Sequence, residues 1–278
     1  MINKKLIKQF LKVLCFCLTC LKLNIGQGQN LVMNPSFEEV IYCPYMEQDT
    51  TIAKHWHIPY SGTTDYYNSC SELPKWRVPK NWFGTYRPRT GSAYAGIIPI
   101  GENGYMEHIQ GILKNNLTKG KKYKIIFWVR FADSASNYST WKIGAHLSNY
   151  RILNEGYLSF KNKYQELMTP AYIPHIEQKK GEFITKKEWV KIEGEYIAKG
   201  DERYITIGCF YGNSPKLVDE VYKYRKTKSY KSKTSKIKYF KKCWLNKYSK
   251  FDKVFNEPNK GYPYYFIDDV SVELIEDE

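Results

Sequence analysis

The sequence lacks an apolar run long enough to cross a membrane as a helix. Its longest apolar run, Val13 to Leu21, is bracketed by Lys12 and Lys22, whereas a spanning helix needs about 18 or more apolar residues. Collagen-like composition and wholesale disorder are also excluded, because 42% of the residues are hydrophobic and 18 of the 278 are Gly. The composition therefore predicts a folded protein without a transmembrane segment.

Arginine is scarce, and the positive charge is unevenly spread. Lys and Arg together number 43, of which 7 are Arg, although Arg is the residue that reads bases and phosphates as a planar fork. Residues 214–261 hold a net charge of +11 and residues 1–28 hold +5, so subtracting both from the total of +15 leaves −1 for the rest. The folded part is nearly neutral, and we expect no nucleic-acid partner.

The compact motifs of common catalytic sites are also missing. The sequence contains no His-Glu-x-x-His, Gly-x-Ser-x-Gly, Gly-x-x-x-x-Gly-Lys or Gly-x-Gly-x-x-Gly. An extended His55-Trp56-His57 would put two imidazoles on one face of the backbone, but two ligands do not complete a zinc site. Carboxylates are plentiful, yet the sequence does not tell which of them lie about 5–10 Å apart, as a glycosidase requires. We therefore expect a protein that is not an enzyme, with a glycan-active hydrolase as the catalytic alternative.

The first 28 residues have the order of a secretory signal peptide. Lysines at positions 4, 5, 8 and 12 precede a short apolar stretch, and Gly26-Gln27-Gly28 provides small residues before a cleavage point. Cleavage after Gly28 leaves residues 29–278, which fit one large all-β domain. The alternative is lipidation at Cys20. The pattern predicts export to the periplasm, the outer-membrane surface or the extracellular space.

Cysteine use agrees with export. Removal of the signal leaves an even set of four, namely Cys43, Cys70, Cys209 and Cys243, and an even count in an exported protein indicates disulfides. Four cysteines allow three pairings. We favour Cys43 with Cys70, which would close a polar, turn-rich loop, and leave open whether Cys209 and Cys243 are joined or free.

Period-two alternation predicts strands over most of the remaining chain. In the run from Tyr123 to Phe131, for example, apolar residues at odd positions alternate with Lys124, Trp128 and Arg130. Strands separated by Gly, Pro, Asn and Asp turns predict an all-β fold, an antiparallel two-sheet sandwich of jelly-roll type. The eight predicted strands are Asn30–Met33, Ala93–Pro99, Tyr105–Leu113, Tyr123–Phe131, Trp141–Ser148, Trp189–Ile197, Arg203–Tyr211 and Tyr264–Ile275.

Two long segments interrupt this pattern. Ile41 to Thr90 is rich in Pro, Trp, Tyr and His, and we expect a long ordered loop layer that leads into the sandwich. Residues 214–261 form a Lys/Tyr-rich insertion before the last strand. It is either a solvated loop or helical hairpin, or an electrostatic contact surface for an acidic partner such as an anionic glycan or lipid headgroups.

The two ends of the domain carry a family resemblance. Asn30 to Glu38 (NLVMNPSFE) and Tyr264 to Glu273 (YYFIDDVSVE) resemble the opening and closing strands of CenC-type carbohydrate-binding modules, which have a galactose-binding-like jelly-roll fold. Internal runs at Gly62–Cys70, Arg89–Gly96 and Phe131–Ser134 are similar to the variant of this domain that often precedes OmpA-type domains in bacterial cell-envelope proteins. The resemblance implies a glycan-binding protein of the cell envelope.

The resemblance also implies a structural calcium ion. When the first and last strands lie close together, Glu38 can approach Asp268 or Asp269, which point to opposite faces of their strand. Acidic side chains that converge repel each other unless a cation lies between them, and Ca²⁺ accepts about 6–8 oxygen ligands. We therefore predict Glu38, Asp268 and Asp269 as calcium ligands; the alternative is a set of solvated acids at a strand edge.

Aromatic side chains are the best candidates for ligand contact. Sugar rings stack their C–H faces on Trp and Tyr, while planar polar groups bind the hydroxyls. Trp82 and Arg87 lie in the loop layer, Trp128 and Arg130 alternate with the apolar face of their strand, and Trp141 comes from a neighbouring strand. The sequence thus predicts a non-catalytic module that binds a polysaccharide. A structural or protein–protein interaction module of the cell envelope is the alternative.

Overall fold

The computed structural model describes residues 28–45, 53–59, 62–100, 106–136, 138–152, 173–210, 222–224 and 262–276. They form an all-β fold whose regular elements are strands and one short 3-10 turn at Pro74–Trp76. The described strands are β1 (Trp56–His57), β2 (Asp65–Asn68), β3 (Lys80–Asn81), β4 (Gly84–Thr85), β5 (Ala93–Ile97), β6 (His108–Ile112), β7 (Lys122–Phe131), β8 (Tyr138–Thr140), β9 (Gly144–Ser148), β10 (Ile176–Glu177), β11 (Val190–Ile197), β12 (Tyr204–Gly208), β13 (Tyr222–Tyr224) and β14 (Tyr265–Leu274).

Two five-stranded antiparallel sheets make the sandwich. We call the sheet with the order β1-β6-β12-β9-β10 sheet I, and the sheet with the order β11-β7-β14-β5-β2 sheet II. Two small pairs, β3 with β4 and β8 with β13, lie outside these sheets. The predicted two-sheet sandwich of jelly-roll type is confirmed.

Alternation places one face of each sheet in a shared core. In β7, Ile125, Phe127 and Val129 are fully buried between the sheets, while Lys124 is exposed. From sheet I, Ile205 and Ile207 of β12 join the same core. Period-two burial therefore decides which side chains are left for the outer faces.

The first described residues, 28–38, lie beside β14, and we call this region the chain-end junction. The Leu31 N–H donates to the Val272 carbonyl at 2.9 Å, and the Asn30 amide donates to the Val270 carbonyl at 3.0 Å. A register shift between Asp268 and Ser271 marks a bulge in β14. Asp269, in the bulge, has a φ of 46°, so its carboxylate is redirected toward the N-terminal segment.

The prediction of a loop layer from Ile41 to Thr90 is wrong in part. Its segment 53–68 contributes β1 to sheet I and β2 to sheet II, and residues 74–90 cover the outer face of sheet II with the 3-10 turn and the β3–β4 pair. The Cys43–Cys70 disulfide is present. It ties the N-terminal segment to the residues that follow β2, and Cys209 is buried.

Several sequence-based predictions fall outside the described residues. They include the signal peptide apart from Gly28, the alternative lipidation at Cys20, the partner of Cys209 at Cys243, and most of the Lys-rich insertion. Within residues 214–261, only Tyr222–Tyr224 is described, and its backbone pairs with β8. In the described part of the chain, no helix is long and apolar enough to span a membrane.

Candidate functional site

The outer face of sheet II carries a second, aromatic core. Its buried members come from β2, β5 and β14 below and from residues 74–90 above, so that segment 74–90 is fixed to the sheet by ring packing. Phe83 stacks on Tyr264 with ring centroids 3.8 Å apart, and Tyr86 packs on Phe266 at 4.8 Å. The buried cluster consists of Tyr67, Trp76, Val78, Phe83, Tyr86, Tyr94, Ala132, Ala135, Tyr264 and Phe266.

At the margin of this aromatic core, β7 and β11 leave a row of partly exposed side chains. Trp128 and Arg130 are half-buried on the outer face, opposite the buried Phe127 and Val129. Trp189, just before β11, is also half-buried and packs against the aromatic core. The margin therefore presents two half-buried indole rings, those of Trp128 and Trp189, together with Arg130.

Two of these residues, Trp189 and Arg130, contact the backbone carbonyl of Arg87. Trp189 Nε1 donates to it at 3.2 Å, and Nη1 of Arg130 approaches it at 3.5 Å. The Arg130 guanidinium also lies over the Tyr86 ring, 5.1 Å from its centroid. The Arg87 side chain itself is exposed. We call Arg87, Trp128, Arg130 and Trp189 the aromatic–arginine cluster.

Arg89 connects this cluster to the chain-end junction. Its guanidinium carbon lies 3.8 Å from the ring centroid of Trp128, and Nη1 forms an ion pair with Oδ2 of Asp269. The cation–π contact and the ion pair hold Arg89 between the two features. Arg89 is thus already paired with a carboxylate of the same chain.

The structure brings together three of the five predicted ligand-contact residues, Arg87, Trp128 and Arg130. Trp82 lies between β3 and β4, 46% exposed, with Lys75 Nζ 4.7 Å from its ring centroid. Trp141 precedes β9 of sheet I, is 3% exposed, and has Lys142 Nζ 3.7 Å from its ring centroid. Trp141 therefore does not belong to the cluster.

Trp189 and Arg89 were not among the predicted site residues. Trp189 is the first residue of the predicted strand Trp189–Ile197. In the structure Val190 pairs with Val129, so that Trp189 lies beside Arg130. Registers between strands that are distant in sequence cannot be read from alternation alone. The available signal was the spacing of Arg87 and Arg89 in the Arg-Pro-Arg run next to the aromatic Tyr86.

The three predicted calcium ligands lie at the chain-end junction, where donors from the chain bind them. Glu38 Oε1 accepts the N–H groups of Ser92 and Ala93 at 2.9 and 3.1 Å. Asp269 Oδ1 accepts hydroxyl hydrogen bonds from Ser36 and Thr90, each at 2.5 Å. These bonds connect the N-terminal segment, the Thr90–Ala93 turn and the β14 bulge.

Asp268 is fully buried at the same junction. Its Oδ2 accepts the Arg89 N–H at 2.8 Å and its Oδ1 accepts the Asp269 N–H at 2.8 Å. Burial, and next the negative charge of Asp269, raise the pKa of Asp268 to about 8. A nearby divalent cation would oppose both effects, and carboxylates are ligands that calcium prefers.

Among the described residues, no group of three or more His, Cys, Asp or Glu side chains is arranged to hold a metal ion. The carboxylates of Glu38, Asp268 and Asp269 are engaged by protein donors, including the Arg89 guanidinium. Calcium at this junction therefore stays a prediction, and no part of the function proposed below depends on it.

The outer face of sheet I has a different character, with polar side chains in register across four strands. His57 pairs with Gln110, Gln110 with Thr206, and Thr206 with His146. Gln110 and Thr206 are fully buried and hydrogen bonded at 2.8 Å. Gln110 bonds to Thr206 and His146 Nδ1 lies 2.9 Å from the Ile173 carbonyl, whereas the buried Nε2 of His57 has no hydrogen-bond partner among the described residues. Because Gln110 and Thr206, at the centre of this face, are fully buried, we do not place the ligand site here.

Comparisons with known proteins give structural similarity only. No protein-family model matches the sequence, and no curated protein sequence matches it. The chain is similar to the CBM22-1 xylan-binding domain of Paenibacillus barcinonensis Xyn10C, with 10% identity, a TM-score of 0.39, and coverage of 91% of this chain and 99% of that one.

Two further solved structures are similar at the same level. The CBM22-1-GH10 modules of Clostridium thermocellum Xyn10B, complexed with xylohexaose, have 9% identity and a TM-score of 0.38, covering 91% of this chain and 29% of that one. The K1 cleaved adhesin domain of Lys-gingipain from Porphyromonas gingivalis W83 has 12% identity and a TM-score of 0.38, covering 90% and 100%. Scores this low do not indicate the ligand of this chain.

Proposed function

We propose that this chain is a non-catalytic glycan-recognition module, and that the aromatic–arginine cluster is its binding surface. The observation that carries the proposal is the meeting of Trp189 and Arg130 at the Arg87 carbonyl, with Trp128 two residues before Arg130 on the same outer face of β7. Rings with one exposed edge or face offer a sugar both an apolar contact surface and neighbouring hydrogen-bond donors.

The rigidity of the surrounding structure supports this function. The cluster rests on β7, β11 and a loop segment that is fixed by the buried rings of Tyr86 and Phe266. Side chains held in place before binding lose little conformational entropy when the ligand arrives. A platform of this kind suits the binding of a polymer, whose repeated units contribute individually weak contacts.

We propose a location at the cell envelope after export. The signal-peptide pattern of the first 28 residues and the Cys43–Cys70 disulfide support an oxidising compartment. The same surface could alternatively dock an envelope protein, which would use the tryptophans and arginines as anchors. The two functions differ in whether free sugar competes with binding.

Affinity electrophoresis in gels that contain individual bacterial and plant polysaccharides tests the proposal. We expect retardation by at least one polysaccharide, and we expect soluble oligosaccharide of the same type to abolish it. Trp128→Ala should weaken binding by about tenfold, since a lost ring contact is worth about 1 kcal/mol or slightly more. Circular dichroism of the variant checks that the sandwich remains folded.

Tyr45→Ala is the matched control. Tyr45 is 56% exposed and lies near the Cys43–Cys70 disulfide, at the β2 edge of sheet II, whereas β7 and β11 form the opposite side of that sheet. Its replacement removes an exposed ring without touching the cluster, so retardation should be unchanged. Binding to an envelope protein that no sugar competes away, with no retardation by any polysaccharide, would favour the protein–protein function instead.

A further inference from the structure

We propose that the glycan is acidic, and that Arg87 and Arg130 bind a carboxylate on it. This inference rests on the proposed function and specifies the ligand class of the same surface. Its starting point is an imbalance of charge at the margin of sheet II, where arginines outnumber the acids available to neutralise them.

Neither Arg87 nor Arg130 has a carboxylate within salt-bridge distance in the described part of the chain. The Nε of Arg130 is buried, and none of the residues that the structure describes forms a hydrogen bond with it. An arginine whose guanidinium is partly removed from water without a counter-charge is costly. An anion bound to the accessible part of the guanidinium would supply the missing counter-charge.

The nearest acids are already paired with other cations. Asp133 lies 3.5 Å from Lys187 Nζ, and Asp269 forms its ion pair with Arg89. These pairs leave Arg87 and Arg130 as the cations of the cluster without an acidic partner among the described residues. The Arg130 guanidinium instead stacks over Tyr86 and approaches the Arg87 carbonyl, so it is positioned without being neutralised.

The chemistry of guanidinium favours a carboxylate. Its planar fork of N–H donors matches the two oxygens of a carboxylate, and the paired, charge-assisted bonds are stronger than neutral ones. Trp128 and Trp189 lie near Arg130 on the outer face of sheet II, and their exposed parts offer apolar contact to the C–H face of a sugar. A uronic acid residue carries both features, a C–H face and a carboxylate, within one ring.

The experiment compares uronate polysaccharides with their carboxyl-reduced forms at physiological salt. Polygalacturonate, alginate and hyaluronate are the acidic probes, and chemical reduction of the carboxylates gives neutral polymers with the same linkages. We expect at least one acidic polymer to bind about tenfold or more tightly than its reduced form, as the loss of one charge-assisted contact predicts. Arg87→Gln and Arg130→Gln should each remove most of this difference.

Arg151→Gln is the charge-matched control, because Arg151 is exposed beyond β9 of sheet I. It should leave the preference for the acidic polymer unchanged. Arg130→Lys keeps the charge but not the planar fork. This variant should therefore retain less than half of the preference of the natural protein for the acidic polymer over its reduced form. Since Arg87 is exposed, Arg87→Gln gives a readout even if replacement of the partly buried Arg130 lowers the stability of the fold.

The outcomes separate this inference from the proposed function. Equal binding of acidic and reduced polymers, lost in Trp128→Ala, would overturn carboxylate recognition and leave glycan recognition standing. Binding of neutral polysaccharides alone would likewise overturn carboxylate recognition and leave glycan recognition standing. Equal affinity for dextran sulfate and the uronates, with Arg130→Lys fully active, would reduce the effect to general attraction of polyanions and overturn the inference. Failure to bind any polysaccharide would overturn both.

Discussion

Glu38 and Ser92 are joined by two hydrogen bonds, the Ser92 N–H to Oε1 at 2.9 Å and the Ser92 hydroxyl to Oε2 at 2.6 Å. Together with the Ala93 N–H, they fix the N-terminal segment to the start of β5. We expect Glu38→Ala to lower the free energy of unfolding by about 1–2 kcal/mol, because partly exposed hydrogen bonds to a charged group contribute modestly. Urea denaturation in EDTA measures this effect without any contribution from bound metal.

Glu39→Ala is the control for this experiment. Its backbone, rather than its side chain, bonds to Asn34, so the variant removes a neighbouring acid and keeps the junction. Its free energy of unfolding should lie within about 0.5 kcal/mol of that of the natural protein, because substitutions of exposed side chains usually have small effects. Equal losses in the two variants would show that charge, and not the bonds to Ser92, is responsible.

Gly91 provides a second test of the same junction. Its φ is +58°, and a Cβ added there would overlap the Glu38 carboxylate. Gly120 also has a positive φ, +79°, but an added Cβ would meet nothing within 4 Å. We expect Gly120→Ala to cost about 1 kcal/mol from backbone strain alone, and Gly91→Ala to cost about 1–3 kcal/mol more because Glu38 must move. Similar losses at both positions would contradict the close contact.

The calcium prediction is tested by chelation. If Glu38, Asp268 and Asp269 hold Ca²⁺ in the folded protein, EDTA should lower the melting temperature, because an ion bound only to the folded state stabilises it by mass action. The melting temperature of Glu38→Ala should then respond less to EDTA. An unchanged melting temperature, with no calcium in elemental analysis of the purified protein, would leave Arg89 and the chain's own donors to stabilise these acids.

The Cys43–Cys70 disulfide closes a separation of 27 residues. Chain-entropy arguments predict that removing such a link lowers the free energy of unfolding by about 3 kcal/mol. The double variant Cys43→Ser/Cys70→Ser should show this loss in urea denaturation. Peptide mapping without reductant should recover the linked pair, and a peptide joining Cys43 to Cys209 would contradict the structure.

His108 makes stability depend on pH. It is buried and bonded to the Cys209 carbonyl at 2.7 Å, and burial lowers its pKa from 6.5 to about 4. Because the unfolded chain binds a proton at higher pH than the folded one, this contribution is complete above pH 6.5 and is lost as the pH falls toward 4. The expected loss is about 3 kcal/mol across this window.

His108→Gln isolates this contribution, since Gln can still donate a hydrogen bond to the carbonyl. The control is needed because the raised pKa values of Asp65 and Asp268 act in the opposite sense, making the protein less stable as pH rises. The difference in unfolding free energy between the natural protein and the variant should narrow from pH 7 to pH 4. A constant difference would show that the buried imidazole does not titrate on unfolding.

Strands with clear alternation were predictable from the sequence, and those without it were not. In β7 and β11, apolar and polar residues alternate, and the predicted bounds of both strands lie within two residues of those in the structure. The run Asp65–Asn68 has no such pattern, because three of its four residues are buried under the aromatic core on one side and the main core on the other. The sequence therefore predicts a loop where the structure has β2.

The binding surface was predictable only in part, for a related reason. Alternation separates Trp128 and Arg130 from the core, which identified them as candidates. The contact of Arg130 and Trp189 with one carbonyl depends on the register of β11 against β7 and on how residues 74–90 pack over sheet II. Trp141 was misplaced because it precedes β9, where no alternation fixes its direction.

The position of β14 restricts when this protein can fold. β14 lies between β7 and β5 in the middle of sheet II, yet it is synthesised after all the other described strands of that sheet. Until it is made, β5 and β7 each keep an open edge, and their buried faces have no complete sheet to join. Folding of sheet II must therefore follow synthesis of residues up to about Leu274, and a chain that waits unfolded until then stays competent for threading through a translocation pore.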